Sequence, residues 1–144
     1  MKIIFLDFDG VIHPISYHHS ASGFSKAACE NLQSILTKDP DVRVVISSAW
    51  RRNGLKTCQE ILKDQGIDST KVIGITDNNG GWTPEDGIRE AQISRWLKDH
   101  SEIEKYVVLD DFPMPKFKDN YLKINAYIGL TQKDAEIVHS ILCK

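Results

Sequence analysis

The sequence carries no large excess of charge of either sign. Its formal net charge is −2 over 144 residues, so no general attraction to polyanions follows, and any nucleic-acid binding must come from a local basic patch. Cysteine is scarce: Cys29, Cys58 and Cys143 are odd in number, far apart and in no metal-ligand spacing, which fits reduced thiols inside a cell. No apolar run approaches the roughly 18 residues that a membrane span requires. The opening Met1-Lys2-Ile3-Ile4-Phe5-Leu6 is interrupted by Asp7 too early for the apolar region of a signal peptide. A cytoplasmic protein with no membrane partner is therefore expected. Neither a Gly-x-x-x-x-Gly-Lys-Ser/Thr loop nor a dinucleotide fingerprint is present. Asp7-Phe8-Asp9-Gly10 fails the calcium-loop spacing, which needs Asp or Asn where Val11 stands. Internal repeats, low-complexity tracts and linkers are absent as well. With 41% hydrophobic and 26% charged residues, the chain reads as one domain, residues 1–144, able to bury its own core.

What is present begins at Ile3-Ile4-Phe5-Leu6-Asp7-Phe8-Asp9-Gly10, an apolar run that ends in two carboxylates one residue apart and a glycine. A short continuous apolar run reads as a strand buried on both faces. Two carboxylates at the end of such a strand are costly to desolvate, so a cation or a reaction must account for them. Gly10 supplies the backbone freedom of a sharp exit.

Five β-rich runs recur, at residues 2–8, 42–46, 71–75, 106–109 and 121–124. Amphipathic patterns separate most of them. Leu32, Ile35 and Leu36 mark a helix within about residues 25–38, capped by Ser25 and stopped by Pro40. Leu55, Cys58, Ile61 and Leu62 mark a second, ended by Gly66; Ile88, Ala91, Trp96 and Leu97 fit a third less neatly; Ala135, Val138, Ile141 and Leu142 mark a last one from about Thr131. Strands alternating with helices predict an α/β fold with a doubly wound, mostly parallel five-stranded sheet. The irregular stretch from Thr76 to Pro84, dense in turn formers, reads as a mobile flap or a long connection.

Ligands of such sheets bind beyond the carboxyl ends of the strands. There the first run delivers Asp7 and Asp9, the second Ser47-Ser48, and the fourth Asp110-Asp111. Four acids in one crevice repel one another unless a hard divalent cation lies among them, and oxygen ligands of this kind suit Mg²⁺.

These residues resemble the motifs of the haloacid dehalogenase-like (HAD) phosphohydrolase superfamily. Asp7-Phe8-Asp9-Gly10-Val11 matches its first motif, Ser47 in Val44-Val45-Ile46-Ser47 its second, and Asp110-Asp111 its fourth. The third motif, a basic residue upstream of the fourth, is best matched by Arg89, with Arg95, Lys98 and Lys105 as rivals. Ser47-Ser48-Ala49-Trp50-Arg51, Arg89 ahead of Ile93-x-x-Trp96-Leu97, and Gly129-Leu130-Thr131 look like small HAD domains of RNA-repair proteins. They are also similar to the phosphatase half of polynucleotide kinase-phosphatases.

The resemblance implies a Rossmann-like sheet and a Mg²⁺-dependent phosphomonoesterase. In it Asp7 is the nucleophile and forms an aspartyl-phosphate, Asp9 is the general acid and then base, and Ser47 and Arg89 hold phosphoryl oxygens. The metal would be held by Asp7, by the Asp9 main-chain carbonyl and by Asp111, supported by Asp110. Superfamily members that act on small metabolites commonly carry a cap domain; this chain has no room for one, so an open site is expected. Such a site suits a phosphate on a large molecule, such as a nucleotide or polynucleotide end. Trp50 could stack a base, with Arg51 and Ser48 beside the phosphates. His13, His18 and His19 fall near the site without an assigned role. A phosphoprotein or small-metabolite phosphatase and a non-catalytic HAD-like binding module are the alternatives; the oligomeric state is left open.

Overall fold

A computed structural model describes residues 1–17, 22–80 and 87–143. Five strands, β1 (Lys2–Leu6), β2 (Val42–Ile46), β3 (Val72–Ile75), β4 (Lys105–Asp110) and β5 (Tyr121–Lys123), form one sheet in the order β3-β2-β1-β4-β5. Every neighbouring pair is parallel. The chain winds outward from β1 through β2 to β3, then returns past β1 to β4 and β5. The reversal lies at β1, the place where doubly wound sheets open a ligand crevice.

Among the described residues four α-helices cover the sheet: α1 (Lys26–Lys38), α2 (Leu55–Asp64), α3 (Ile88–Asp99) and α4 (Gln132–Cys143). Leu32, Ile35 and Leu36 of α1, Cys58 and Leu62 of α2, and Val138 and Leu142 of α4 pack on one face with Ile4, Leu6, Val44 and Leu109. Ile93, Trp96 and Leu97 of α3, helped by Phe117, cover the other face over Ile3, Phe5, Val45 and Val108. Burial from both sides explains the unbroken apolar run of β1, whose Ile3 to Leu6 are fully buried.

Local signals account for the helix starts. Ser25 caps α1, its hydroxyl accepting from Ala28 N at 3.1 Å. Ahead of α4, Thr131 Oγ1 accepts from Asp134 N at 3.1 Å while Asp134 Oδ2 accepts from Thr131 N at 3.0 Å. The first strand is shorter than the expected residues 2–8, ending at Leu6. Asp7 still donates its N–H to Leu109 O at 3.1 Å, but Phe8 O then accepts from Ile12 and His13 and the chain turns away.

The Gly129-Leu130-Thr131 piece supports that turn: Leu130 N donates to Val11 O at 2.7 Å, and Asn31 Nδ2 donates to Leu130 O. Of the irregular stretch beginning at Thr76, residues 81–86 lie outside the described residues, as do His18 and His19. Among the described residues no helix is long and apolar enough to cross a membrane.

Candidate active site

The register sets the site. Leu6 pairs with Ile46 on one side and with Leu109 on the other. The next residues, Asp7, Ser47 and Asp110, therefore leave three adjacent strands at one level, on the face that α3 covers. Arg89 enters from the first turn of α3. Its Nη1 lies 2.9 Å from Asp110 Oδ2 and 3.3 Å from Asp7 Oδ2. Both acids are almost wholly buried, Asp7 at 4% exposure and Asp110 at 0%. The rivals of Arg89 stand elsewhere: Arg95 is exposed and paired with Asp77 at 2.7 Å, Lys98 is exposed, and Lys105 starts β4 at the opposite end of the sheet.

Asp110 is engaged at both oxygens, Oδ2 by Arg89 and Oδ1 by the N–H of Phe112 at 3.0 Å. Asp111 is less buried and leans over Gly10. A Cβ at Gly10 would come within 2.6 Å of Asp111 Cγ, and the residue has φ of +84°. Glycine is required there for two reasons: a left-handed backbone, and room for the carboxylate. Only the first was legible in the sequence.

One cation cannot neutralise this group. Burial first, and then repulsion by Asp110, lift the Asp7 carboxyl well above the ordinary range against the pull of Arg89; Asp111, which also shares a hydrogen bond with it, adds to the rise. Burial pushes Asp110 up to about 6, although Arg89 and the Phe112 N–H oppose it. Burial pulls the Arg89 guanidinium down, but Asp7, Asp110 and Asp111 outweigh that and raise it.

The chain alone thus raises the pKa of both Asp7 and Asp110. Among the described residues, Asp7, Asp110 and Asp111 are the group whose oxygens converge, one atom of each lying within 4.8 Å of the others. Beside them Ser47 Oγ is buried with no hydrogen-bond partner in the structure. An all-oxygen, electron-rich cluster with one orphaned hydroxyl fits a hard divalent cation and an oxyanion.

The remaining sequence candidates divide. Asp9 faces outward, its side chain 57% exposed, into a cavity of about 310 Å³ lined by Asp9, Ala49, Trp50, Arg52 and Asn53. Trp50 Nε1 donates to Asp9 Oδ2 at 3.2 Å. Ser48 is buried and caps the 3-10 turn Ala49–Asn53, its hydroxyl accepting from Trp50 N.

Arg51 is turned inward, 1% exposed, and ties three segments together. Its Nη1 donates to Ser48 O at 2.7 Å, its Nη2 to Gln92 Oε1 at 2.8 Å and its Nε to Asp77 O at 3.1 Å. Burial, and next the repulsion of Arg89, lower its pKa to about 10, so it stays charged. The side chain is a strut between the turn after β2, the loop after β3 and α3.

Sequence reasoning gave no role to His13, whose Nδ1 lies 3.1 Å from Asp9 Oδ1. It also missed Gln92, buried on α3, which accepts from Arg51 and donates to Asn79 O at 3.1 Å.

A family model described as the HAD domain in Swiss Army Knife RNA repair proteins matches residues 3–135. No curated protein and no solved structure gives a match.

Proposed function

The chain belongs to the family of HAD domains in Swiss Army Knife RNA repair proteins, and from that membership we propose that it is a Mg²⁺-dependent phosphomonoesterase acting through an aspartyl-phosphate on the phosphorylated ends of nucleic acids or on nucleotides. Membership makes it a HAD-type phosphohydrolase in general; the metal, the intermediate and the substrate are the proposal. The observation that carries it is the convergence of Asp7, Asp110 and Asp111 under Arg89, with the orphaned Ser47 hydroxyl alongside. We take residues 1–144 as one domain and leave the oligomeric state open.

In the first step an Asp7 carboxylate oxygen attacks phosphorus, the bond from phosphorus to the leaving oxygen breaks, and that oxygen takes a proton from Asp9. In the second, the Asp9 carboxylate takes a proton from water, whose oxygen attacks the phosphorus. The acyl–phosphate bond to Asp7 breaks and inorganic phosphate leaves. Ser47 would donate to one phosphoryl oxygen and Arg89 would offset charge on another; such preorganised contacts are each worth roughly 3 kcal/mol of transition-state stabilisation. Asp7, Asp111 and the Asp9 main-chain carbonyl would hold Mg²⁺, with Asp110 supporting, because both Asp110 oxygens are already engaged. Bound there, the ion would lower the repulsion between an anionic nucleophile and an anionic phosphate.

A polynucleotide end suits a site with an outward-facing acid and no cap among the described residues. Trp50 and Arg52 line the cavity beside Asp9, and Lys123 lines another beside Asp111. Phosphate release from p-nitrophenyl phosphate and from 5′- and 3′-phosphorylated oligonucleotides, with Mg²⁺ and with chelator, tests the reading. Release that needs Mg²⁺ and favours the oligonucleotides is expected. A folded protein that binds Mg²⁺ and releases phosphate from none of them would favour a binding module instead.

A further inference from the structure

A side chain that serves a leaving group works best when its geometry is held in place by its neighbours. Asp9 lies on a turn with more than half its side chain exposed, so nothing in its own backbone fixes the plane of the carboxylate. A side chain from outside does, and a second approaches. Trp50 Nε1 donates to Oδ2 at 3.2 Å, and His13 Nδ1 lies 3.1 Å from Oδ1 on the other side.

The indole is itself seated among aromatic rings: Phe8 at 5.5 Å, Phe24 at 5.5 Å and His13 at 5.3 Å between centroids. Phe24 in turn packs edge-on against His13 at 4.9 Å. A Cβ at Gly23 would fall on the His13 ring, so the ring occupies the space that a side chain there would take.

Indole N–H is a donor and never an acceptor. Oδ2 of Asp9 is therefore the acceptor in this contact. We propose that Trp50, seated by Phe8, Phe24 and His13, is a positioning residue for Asp9: its N–H holds Oδ2 and so fixes the orientation of the carboxylate that serves the leaving oxygen. This rests on the reading of Asp9 as the general acid. It gives Trp50 a task different from stacking a base.

The two tasks leave different signatures. An acid that is poorly aimed slows phosphoryl transfer from alcohols, which leave as alkoxides unless protonated, far more than from nitrophenol, which leaves well as the anion. The value of kcat/KM reports that first transfer, whereas a lost stacking plane raises KM for nucleotide substrates whatever the leaving group.

We would measure kcat and KM for p-nitrophenyl phosphate, phenyl phosphate, an alkyl phosphate and a nucleoside monophosphate with the wild-type protein, Trp50→Phe, Phe24→Leu and Asp9→Asn. Trp50→Phe keeps an aromatic ring and loses only the donor. It should lose at least tenfold more in kcat/KM on the alkyl phosphate than on the nitrophenyl ester. Asp9→Asn should show the same pattern more strongly. Phe24→Leu, which loosens the indole without touching Asp9, should show it more weakly, and it carries the test should Trp50→Phe fail to fold. An equal loss across the first three esters, or a defect confined to KM for nucleotides, overturns the proposal while Asp9→Asn keeps the acid reading alive. Full turnover of the alkyl phosphate by Asp9→Asn overturns the acid reading, and the proposal with it.

Discussion

The buried carboxylates should make the metal-free protein less stable as pH rises, opposite to the usual effect of ion-paired acids. Asp110 is fully buried, and its pKa is pushed from 3.8 to about 6. A folded-state pKa above the unfolded value means the native state holds its proton more tightly. The favourable contribution is fully present below about pH 4 and is lost as pH climbs towards 6. Two pH units correspond to about 3 kcal/mol, and Asp7, shifted the same way, adds to the loss. For a chain of this length that is a fall of roughly 10 °C in Tm.

Thermal melts in chelator from pH 4.5 to 7 would show the fall, and Asp110→Asn would flatten it. That variant keeps an oxygen for the Phe112 N–H, and Arg89 still has Asp7 at 3.3 Å. At pH 7 in chelator it should melt above the wild-type protein. Saturating Mg²⁺, about a hundredfold over its Kd, should restore roughly 3 kcal/mol to the wild-type protein and much less to the variant. Parallel pH profiles for the two proteins would refute the argument that Asp110 is held against its ordinary ionisation.

Two further substitutions probe the scaffold of the site. Gly10→Ala places a Cβ 2.6 Å from Asp111 Cγ at a φ of +84°; isothermal titration should show Mg²⁺ affinity lowered at least tenfold, and urea melts a loss of about 1–2 kcal/mol. Arg51→Ala removes a buried strut and leaves Ser48 O, Asp77 O and Gln92 Oε1 short of a donor. It should cost about 3 kcal/mol of stability by urea denaturation, whereas a raised KM with unchanged stability would restore Arg51 as a substrate contact.

The sheet was legible in the sequence because strands buried on both faces must be apolar throughout, and the residues after each apolar run then name the crevice. The run at Val42–Ile46 matches its strand end for end. The third helix was harder to read because the positions it buries include Arg89 and Gln92, polar side chains that a hydrophobic period counts as exposed. The burial of Arg51 was hidden for a related reason: an arginine is buried only when acceptors reach it, and its acceptors come from three segments. The seating of Asp9 by Trp50 and His13 was hidden likewise, since it depends on how the turns after β1 and β2 meet and on no local pattern. Gly10 shows the boundary well, its turn being local and its approach to Asp111 not.

The central claim is that Asp7 carries the phosphoryl group. Its direct test is acid quenching of the protein during turnover of p-nitrophenyl phosphate with Mg²⁺, followed by peptide mapping of bound phosphate. Phosphate is expected on the peptide containing Asp7, as an acyl phosphate labile to hydroxylamine, and none in Asp7→Asn. Turnover that persists in Asp7→Asn, or phosphate mapped to another residue, would contradict it.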